Sequence, residues 1–425
     1  MIQPLPGFRD FYPEPVPSPD AWSCDLRQHI FETWRTTSRR YGFREYDGPP
    51  LESLELYTLK SGEEIVQQLF NFTDKGGREV AMRPEMTPTL ARMVAAAERH
   101  YRKPIKWFAI PQLFRYEKQQ RGRLREHFQF NADIFGESSP GADAELIALL
   151  IDSLRGLGLT ADDFVIRVSS RRAWQAFLEA RCADPSRAYD FYQAVDKLER
   201  EKPEVIDEKL RLVGSSLQEV REFIQASQPT SEIQTLLDEL GARGLGSFVR
   251  VDYGVIRGLA YYTGIVFEAF DRKGKFRALA GGGRYDQLVH LVSGGKVNLP
   301  ALGFGMGDVV LAELLKDRGL VRGATQSLSA YVLIEEESLR AESLRCVQSL
   351  REAGVSADFP LAATKSDKQF KRAVELAARV TVKLERAPDG AISARVREMT
   401  SRSEQVIPPD LVAAHCLGLI HRPPG

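Results

Sequence analysis

The sequence predicts an α+β chain, and three observations predict it. Residues 126–135 alternate, with Phe128, Phe130, Ala132 and Ile134 set against His127, Gln129, Asn131 and Asp133. About residues 171–245 are charged and helical in spacing, an inserted helical module between strand-forming segments. The last hundred residues change to alternating β and α signals. They read as a separate α/β domain over residues 328–425, around a mostly parallel sheet, after a linker at 318–327.

In chain order, residues 18–41 place Trp22, Leu26, Ile30, Phe31 and Trp34 at helical spacing and stop at Tyr41-Gly42. Asp47-Gly48-Pro49-Pro50 then breaks the chain. Residues 69–82 read as strand, tight turn at Gly76-Gly77, strand; 87–99 are helical, and 105–110 and 113–116 are strand-like. A helix is expected at 142–157 and strands at 164–168, 248–253 and 264–270. The glycine run at 281–286 reads as a turn before a helix, and 302–308 leads from strand into helix. In the last domain, strands are expected at 330–334, 355–359, 380–384 and 391–396, with helices at 337–353 and 366–378.

Composition narrows the class. At roughly 100–200 residues per domain, 425 residues make two or three domains. With 43% apolar and 27% charged residues the chain is neither disordered nor fibrous. The N-terminus, with Arg9 and no apolar run, is not a secretory signal, and no apolar stretch is long enough to span a membrane. Cys24, Cys182, Cys346 and Cys416 lie far apart, which fits reduced thiols of a cytoplasmic protein. The 58 basic and 58 acidic residues cancel, so a polyanion would have to be met by a local patch. From 102 to 125 there is one: Arg102, Lys103, Lys106, Arg115, Lys118, Arg121, Arg123 and Arg125 face only Glu117.

Behind that patch, period two puts His127, Gln129, Asn131 and Asp133 on one face of a strand, the lining expected of a polar pocket. Neither a GxxxxGK[ST] loop nor a GxGxxG helix start occurs. Arginines on strands and hairpins (Arg83, Arg115, Arg123, Arg257) with carboxylates nearby (Glu85, Glu117, Asp133) suit a nucleotide gripped by guanidinium forks and a metal.

Phe114-Arg115-Tyr116-Glu117, the basic loop and Arg123 resemble motif 2 of the class II aminoacyl-tRNA synthetases. Residues 302–308 resemble motif 3, and 42–57 the region of motif 1. Three further stretches resemble the histidyl-tRNA synthetase family: Arg83-Pro84-Glu85-Met86-Thr87, the run 257–264 with Tyr261-Tyr262, and the glycine-rich 281–286. The resemblance implies an antiparallel catalytic sheet flanked by helices over residues 1–320, a homodimer through 42–57, and an anticodon-binding-like C-terminal domain. It implies activation of L-histidine with ATP and Mg²⁺, then transfer to tRNA(His). Arg115 and Arg257 would be catalytic, on the α-phosphate. Glu85, Thr87 and Gln129 would receive the ammonium group, with Asp133, Tyr261 and Tyr262 at the imidazole and Arg115 and Arg257 also touching histidine. Glu117, Arg123, Gly305 and Gly307 would join Arg115 on ATP; Lys118, Gln120 and Arg121 would meet the tRNA. The metal's ligands are not named by the residues. One departure stands out: motif 3 ends in Asp308-Val309-Val310, with Val310 where the family usually has an arginine for the outer phosphates. A silent, histidine-sensing paralogue, similar to the regulatory subunit of ATP phosphoribosyltransferase, is the alternative the resemblance leaves open.

Overall fold

The computed structural model describes residues 2–61, 68–116, 124–182, 184, 187–198, 201–256, 261–321 and 328–420. It divides into two units, Met1–Arg322 and Gly323–Gly425.

The first unit is built on a sheet of nine strands among the described residues. Its order is Val249–Val251, Phe164–Ser170, Ile265–Asp271, Ala280–Arg284, Ala301–Gly307, Glu126–Phe135, Ile105–Ala109, Arg44–Glu45, with Gln112–Phe114 pairing the start of Glu126–Phe135. All central pairings are antiparallel; the two outermost, 164–170 with 249–251 and 44–45 with 105–109, are parallel. The run 281–286 is therefore not a turn: Ala280–Arg284 is a central strand, and four consecutive small residues fit because both neighbours press close. A Cβ on Gly282 would lie 2.3 Å from the Gly303 carbonyl oxygen and 2.6 Å from the Phe304 Cβ.

Period two sorts the long strand. Phe130, Ala132 and Ile134 face the main core, beside Met306, Phe304 and Leu302 of the next strand. Helices Cys24–Arg40 and Pro140–Arg155 cover that side. Ser23 starts the first helix by accepting a hydrogen bond from the Leu26 amide, and Leu26, Ile30, Phe31 and Trp34 form its buried stripe. A second cluster, with Leu90, Val94, Trp107, Phe135, Tyr262, Tyr285 and Leu288, brings helices Thr87–Ala97 and Leu288–Val292 together. The helices of residues 171–242 extend the same core through the aromatic group Trp174, Phe177, Phe191 and Phe223.

In the second unit the sheet order is Ala357–Asp358, Ala330–Leu333, Val380–Arg386, Ile392–Glu398, Glu404–Ile407. The first two pairings are parallel and the last two antiparallel, so the sheet is mixed and not mostly parallel. The cause is a hairpin at residues 387–391. Gly390, at φ +86°, donates to the Ala387 carbonyl, and the Ala387 amide donates to the Ala391 carbonyl.

Candidate active site

The site grows from the polar face of Glu126–Phe135. Its neighbour Ala301–Gly307 places Gly303, Gly305 and Gly307 opposite Asp133, Asn131 and Gln129, and Ala280–Arg284 adds Gly281 and Gly283 opposite Gly305 and Gly303. Cross-strand partners share a face, so two adjacent strands offer glycine at every position beside the polar row. The alternate glycines form a floor without side chains. Its side chains are borrowed from next door: a Cβ on Gly303 would fall 1.9 Å from Asp133 Oδ1, and one on Gly305 would fall 2.7 Å from Gln129 Cδ. At Gly307 the nearest such atom is His127 Cδ2, 3.9 Å away.

Around this floor the loop 83–87 and the start of the motif-2-like hairpin come together. Arg83 is buried, its Nη1 on the Gly48 carbonyl at 2.6 Å and its Nε on the Gln112 carbonyl at 3.0 Å, so it holds the loop. Arg115 Nε donates to the Pro84 carbonyl at 3.0 Å, which places a guanidinium beside Glu85. Tyr261 Oη lies 3.5 Å from Glu85 Oε2. Thr87 opens the helix Thr87–Ala97 directly after them. His127, between Arg115 and Arg9, is pushed down to about 3 by burial and by those two cations, so its imidazole is neutral.

At the far end, burial pushes the Asp133 carboxyl up to about 7, while a hydrogen bond donated by Tyr285 pulls the other way. Tyr262 packs in the second apolar cluster, its ring 4.8 Å from that of Tyr261. The phenol seen on Asp133 is that of Tyr285, a residue inside the quoted glycine-rich stretch that the sequence reading passed over. Glu117, Lys118, Gln120, Arg121, Arg123 and Arg257 lie outside the described residues.

Two of the described cations in the basic stretch 102–125 are paired with carboxylates and a third lies over a ring. Lys106 pairs with Glu145 at 2.7 Å, Lys103 with Glu98, and Arg125 stacks over the Tyr116 ring at 4.4 Å. Sequence reasoning also missed Arg9. Its side chain, 2% exposed, bridges Glu126 at 2.6 Å and Asp308 at 2.9 Å, and Asp308 accepts from the Phe128 amide at 2.9 Å. This ties the N-terminal segment to the site strand and to the first turn of the helix Asp308–Asp317. Val310, two residues on, is half buried against the main core. No spacing rule links Arg9 to partners 117 and 299 residues away.

A family model, Histidyl-tRNA synthetase, matches residues 19–308. The chain belongs to the histidyl-tRNA synthetase family. A histidine–tRNA ligase of Opitutus terrae is 45% identical, with 97% of each chain covered. The chloroplastic/mitochondrial histidine–tRNA ligase of Arabidopsis thaliana is 37% identical over 93% of this chain and 83% of its own. Two solved structures share the fold at low identity. The histidyl-tRNA synthetase of Nostoc sp. PCC 7120 has a TM-score of 0.74 at 20% identity, covering 92% of this chain and 95% of that one. An ATP phosphoribosyltransferase regulatory subunit/histidyl-tRNA synthetase of Bacillus halodurans C has a TM-score of 0.67 at 22%, covering 88% and 96%. Among the described residues no helix is long and apolar enough to cross a membrane, and no group of three or more His, Cys, Asp or Glu side chains could hold a metal ion.

Proposed function

We propose that this chain is a histidine–tRNA ligase acting in two steps. A histidine carboxylate oxygen attacks the α-phosphorus of ATP and pyrophosphate leaves, giving histidyl-adenylate. A terminal ribose hydroxyl of tRNA(His) then attacks the carbonyl carbon and AMP leaves. One observation carries this reading: in a chain of this family, Gln129 and Asp133 stand over a glycine floor with Arg115 and Glu85 at its edge.

The roles are those the family resemblance implies, and the residues' charges and donors suit them. Glu85, Thr87 and Gln129 offer acceptors for the ammonium group, and Asp133 an acceptor for a ring N–H, with Tyr261 and Tyr262 nearby. Arg115 and Arg257 offset the charge that develops on the α-phosphate. Glu117, Arg123, Gly305 and Gly307 take the rest of ATP; Lys118, Gln120 and Arg121 take the acceptor end. Mg²⁺ travels on the phosphates, which suits an ion that keeps its waters and needs few protein ligands. The active species is a homodimer through residues 42–57, working in the cytoplasm.

Histidine-dependent exchange of labelled pyrophosphate into ATP, followed by charging of tRNA(His), tests the reading. Histidine binding without exchange would favour the sensing paralogue instead.

A further inference from the structure

The N-terminal segment makes contacts that the two-step reaction does not use. The Gly7 carbonyl, in a residue at φ +88°, accepts a hydrogen bond from the Arg125 amide at 2.9 Å. The Arg125 carbonyl in turn accepts from the Arg115 amide at 2.9 Å. The ring of Phe8 packs 6.0 Å from that of Phe70 and 6.4 Å from that of Phe114, and Phe11 packs 6.1 Å from Phe128. Residues 7–11 thus lie as a third ply along the hairpin that presents Arg115, with only Arg125 between Gly7 and Arg115 in that backbone relay.

Arg9 joins this ply to a second element. Its Nε and Nη2 donate to the two Glu126 oxygens at 2.6 and 3.3 Å, and its Nη1 and Nη2 to the two Asp308 oxygens at 2.9 and 3.4 Å. Gln112, on the other leg of the hairpin, also donates to Glu126 at 3.0 Å. The rings of Trp22 and Phe11 flank the guanidinium, their centres 4.6 and 4.9 Å from its carbon. One planar fork therefore spans two carboxylates from different elements. Glu126 belongs to the hairpin of Arg115, whereas Asp308 directly follows Gly307 at the end of the glycine floor. Arg115 on one side and Gly305 and Gly307 on the other are the groups assigned to ATP. Without the cation, two buried carboxylates face each other and drive hairpin and floor apart. Gln129 and Asp133 lie further along the strand, held by its pairing with Ala301–Gly307.

We propose that Arg9 is a positioning residue for adenylate formation: by bridging Glu126 and Asp308 it fixes the Arg115 hairpin against the nucleotide end of the glycine floor. It touches neither substrate, and its effect reaches the α-phosphate through Arg115. This rests on the histidine-activating reading above, in which Arg115 acts on that phosphate.

The test uses the full chain with Arg9→Lys and Arg9→Gln. Active-site titration counts competent sites, and single turnover gives the adenylation rate constant per titrated site. Calorimetry gives the histidine Kd, and hydrogen exchange read by mass spectrometry follows the amides of residues 112–116 and 124–128. A reacting group displaced by about 1 Å loses of order a hundredfold in rate. Arg9→Gln should therefore lower the rate constant per site about a hundredfold, and Arg9→Lys, which keeps the charge but not the fork, about tenfold. Histidine Kd should stay within about twofold in both, and amide exchange in both stretches should quicken. Arg9→Lys added to Arg115→Ala should cost little more than Arg115→Ala alone, because the effect passes through Arg115. If Arg9→Gln does not fold, Arg9→Lys decides. A merely structural role would lower the number of titrated sites and leave the rate constant per site at the wild-type value. That result, unchanged amide exchange, or full additivity with Arg115→Ala overturns the proposal. Wild-type protein that forms no adenylate overturns the ligase reading, and amide exchange still decides whether Arg9 places Arg115.

Discussion

Adding one methyl group at Gly303 tests the glycine floor directly. The Cβ of Gly303→Ala would stand 1.9 Å from Asp133 Oδ1 and 2.7 Å from its Cγ, well inside contact distance. The Ala132 carbonyl, 3.1 Å away on the other side, is backbone in a central strand and cannot retreat, so Asp133 must swing off its place. That removes a charge-assisted hydrogen bond to the substrate ring, worth about 1.5–3 kcal/mol, or roughly 10- to 150-fold in histidine KM. The ATP KM should hold within about twofold. Gly307→Ala is the internal control: its Cβ meets nothing closer than His127 Cδ2 at 3.9 Å, so histidine KM should be unaffected. Because Gly307 is assigned to ATP, the ATP KM alone should rise. Pyrophosphate exchange at varied histidine and ATP, with circular dichroism to confirm folding, reads all of this. A folded Gly303→Ala enzyme with the histidine KM of wild type would refute the floor argument.

Further outcomes are expected elsewhere. Arg115→Ala should cost about 2.7–4 kcal/mol in the adenylation barrier, two to three orders of magnitude in kcat by single turnover. Val310→Arg should lower the ATP KM about tenfold and reduce its dependence on Mg²⁺, leaving histidine KM alone; a magnesium series decides it. Arg9→Gln leaves Glu126 and Asp308 buried together without a cation and should destabilise the first unit by about 3–5 kcal/mol in urea unfolding. The Asp133 carboxyl, at about 7 when folded against an ordinary 3.8, binds more protons folded than unfolded between those values. Without histidine, stability therefore falls as pH rises through that window, by at most about 1.4 kcal/mol per unit. Asp133→Asn should gain on wild type between pH 4.5 and 7.5 in denaturant titrations, and equal slopes would contradict the shift.

What was legible in the sequence depended on whether the signal was local. Alternation at 126–135 located the strand and its polar face, since period two needs only neighbours. The glycine runs were seen but misread: glycine in a row suggests a turn, and only the pairing of Ala280–Arg284 with Ala301–Gly307 shows them sharing a face. The mixed C-terminal sheet was missed although Asp389-Gly390 between two apolar runs is a hairpin signal, because the β and α alternation before it was stronger. Tyr285 stood in a quoted motif, yet its partner is 152 residues away, and Arg9 carries no periodicity at all.

The Arg9 bridge also orders events during synthesis. Arg9 leaves the ribosome early, but Glu126 follows 117 residues later and Asp308 299 residues later. At about 5–20 residues per second, the guanidinium waits roughly 15–60 s for its second carboxylate. Until then the N-terminal segment has half an anchor, and the Phe128 amide lacks its acceptor on a strand already made. The nascent chain can thus assemble its helical cover and most of its sheet before the pocket is pulled tight. Arg9, translated 299 residues before Asp308, closes this contact late, and a ribosome-bound chain ending short of Asp308 should hold the segment around Arg9 open to protease.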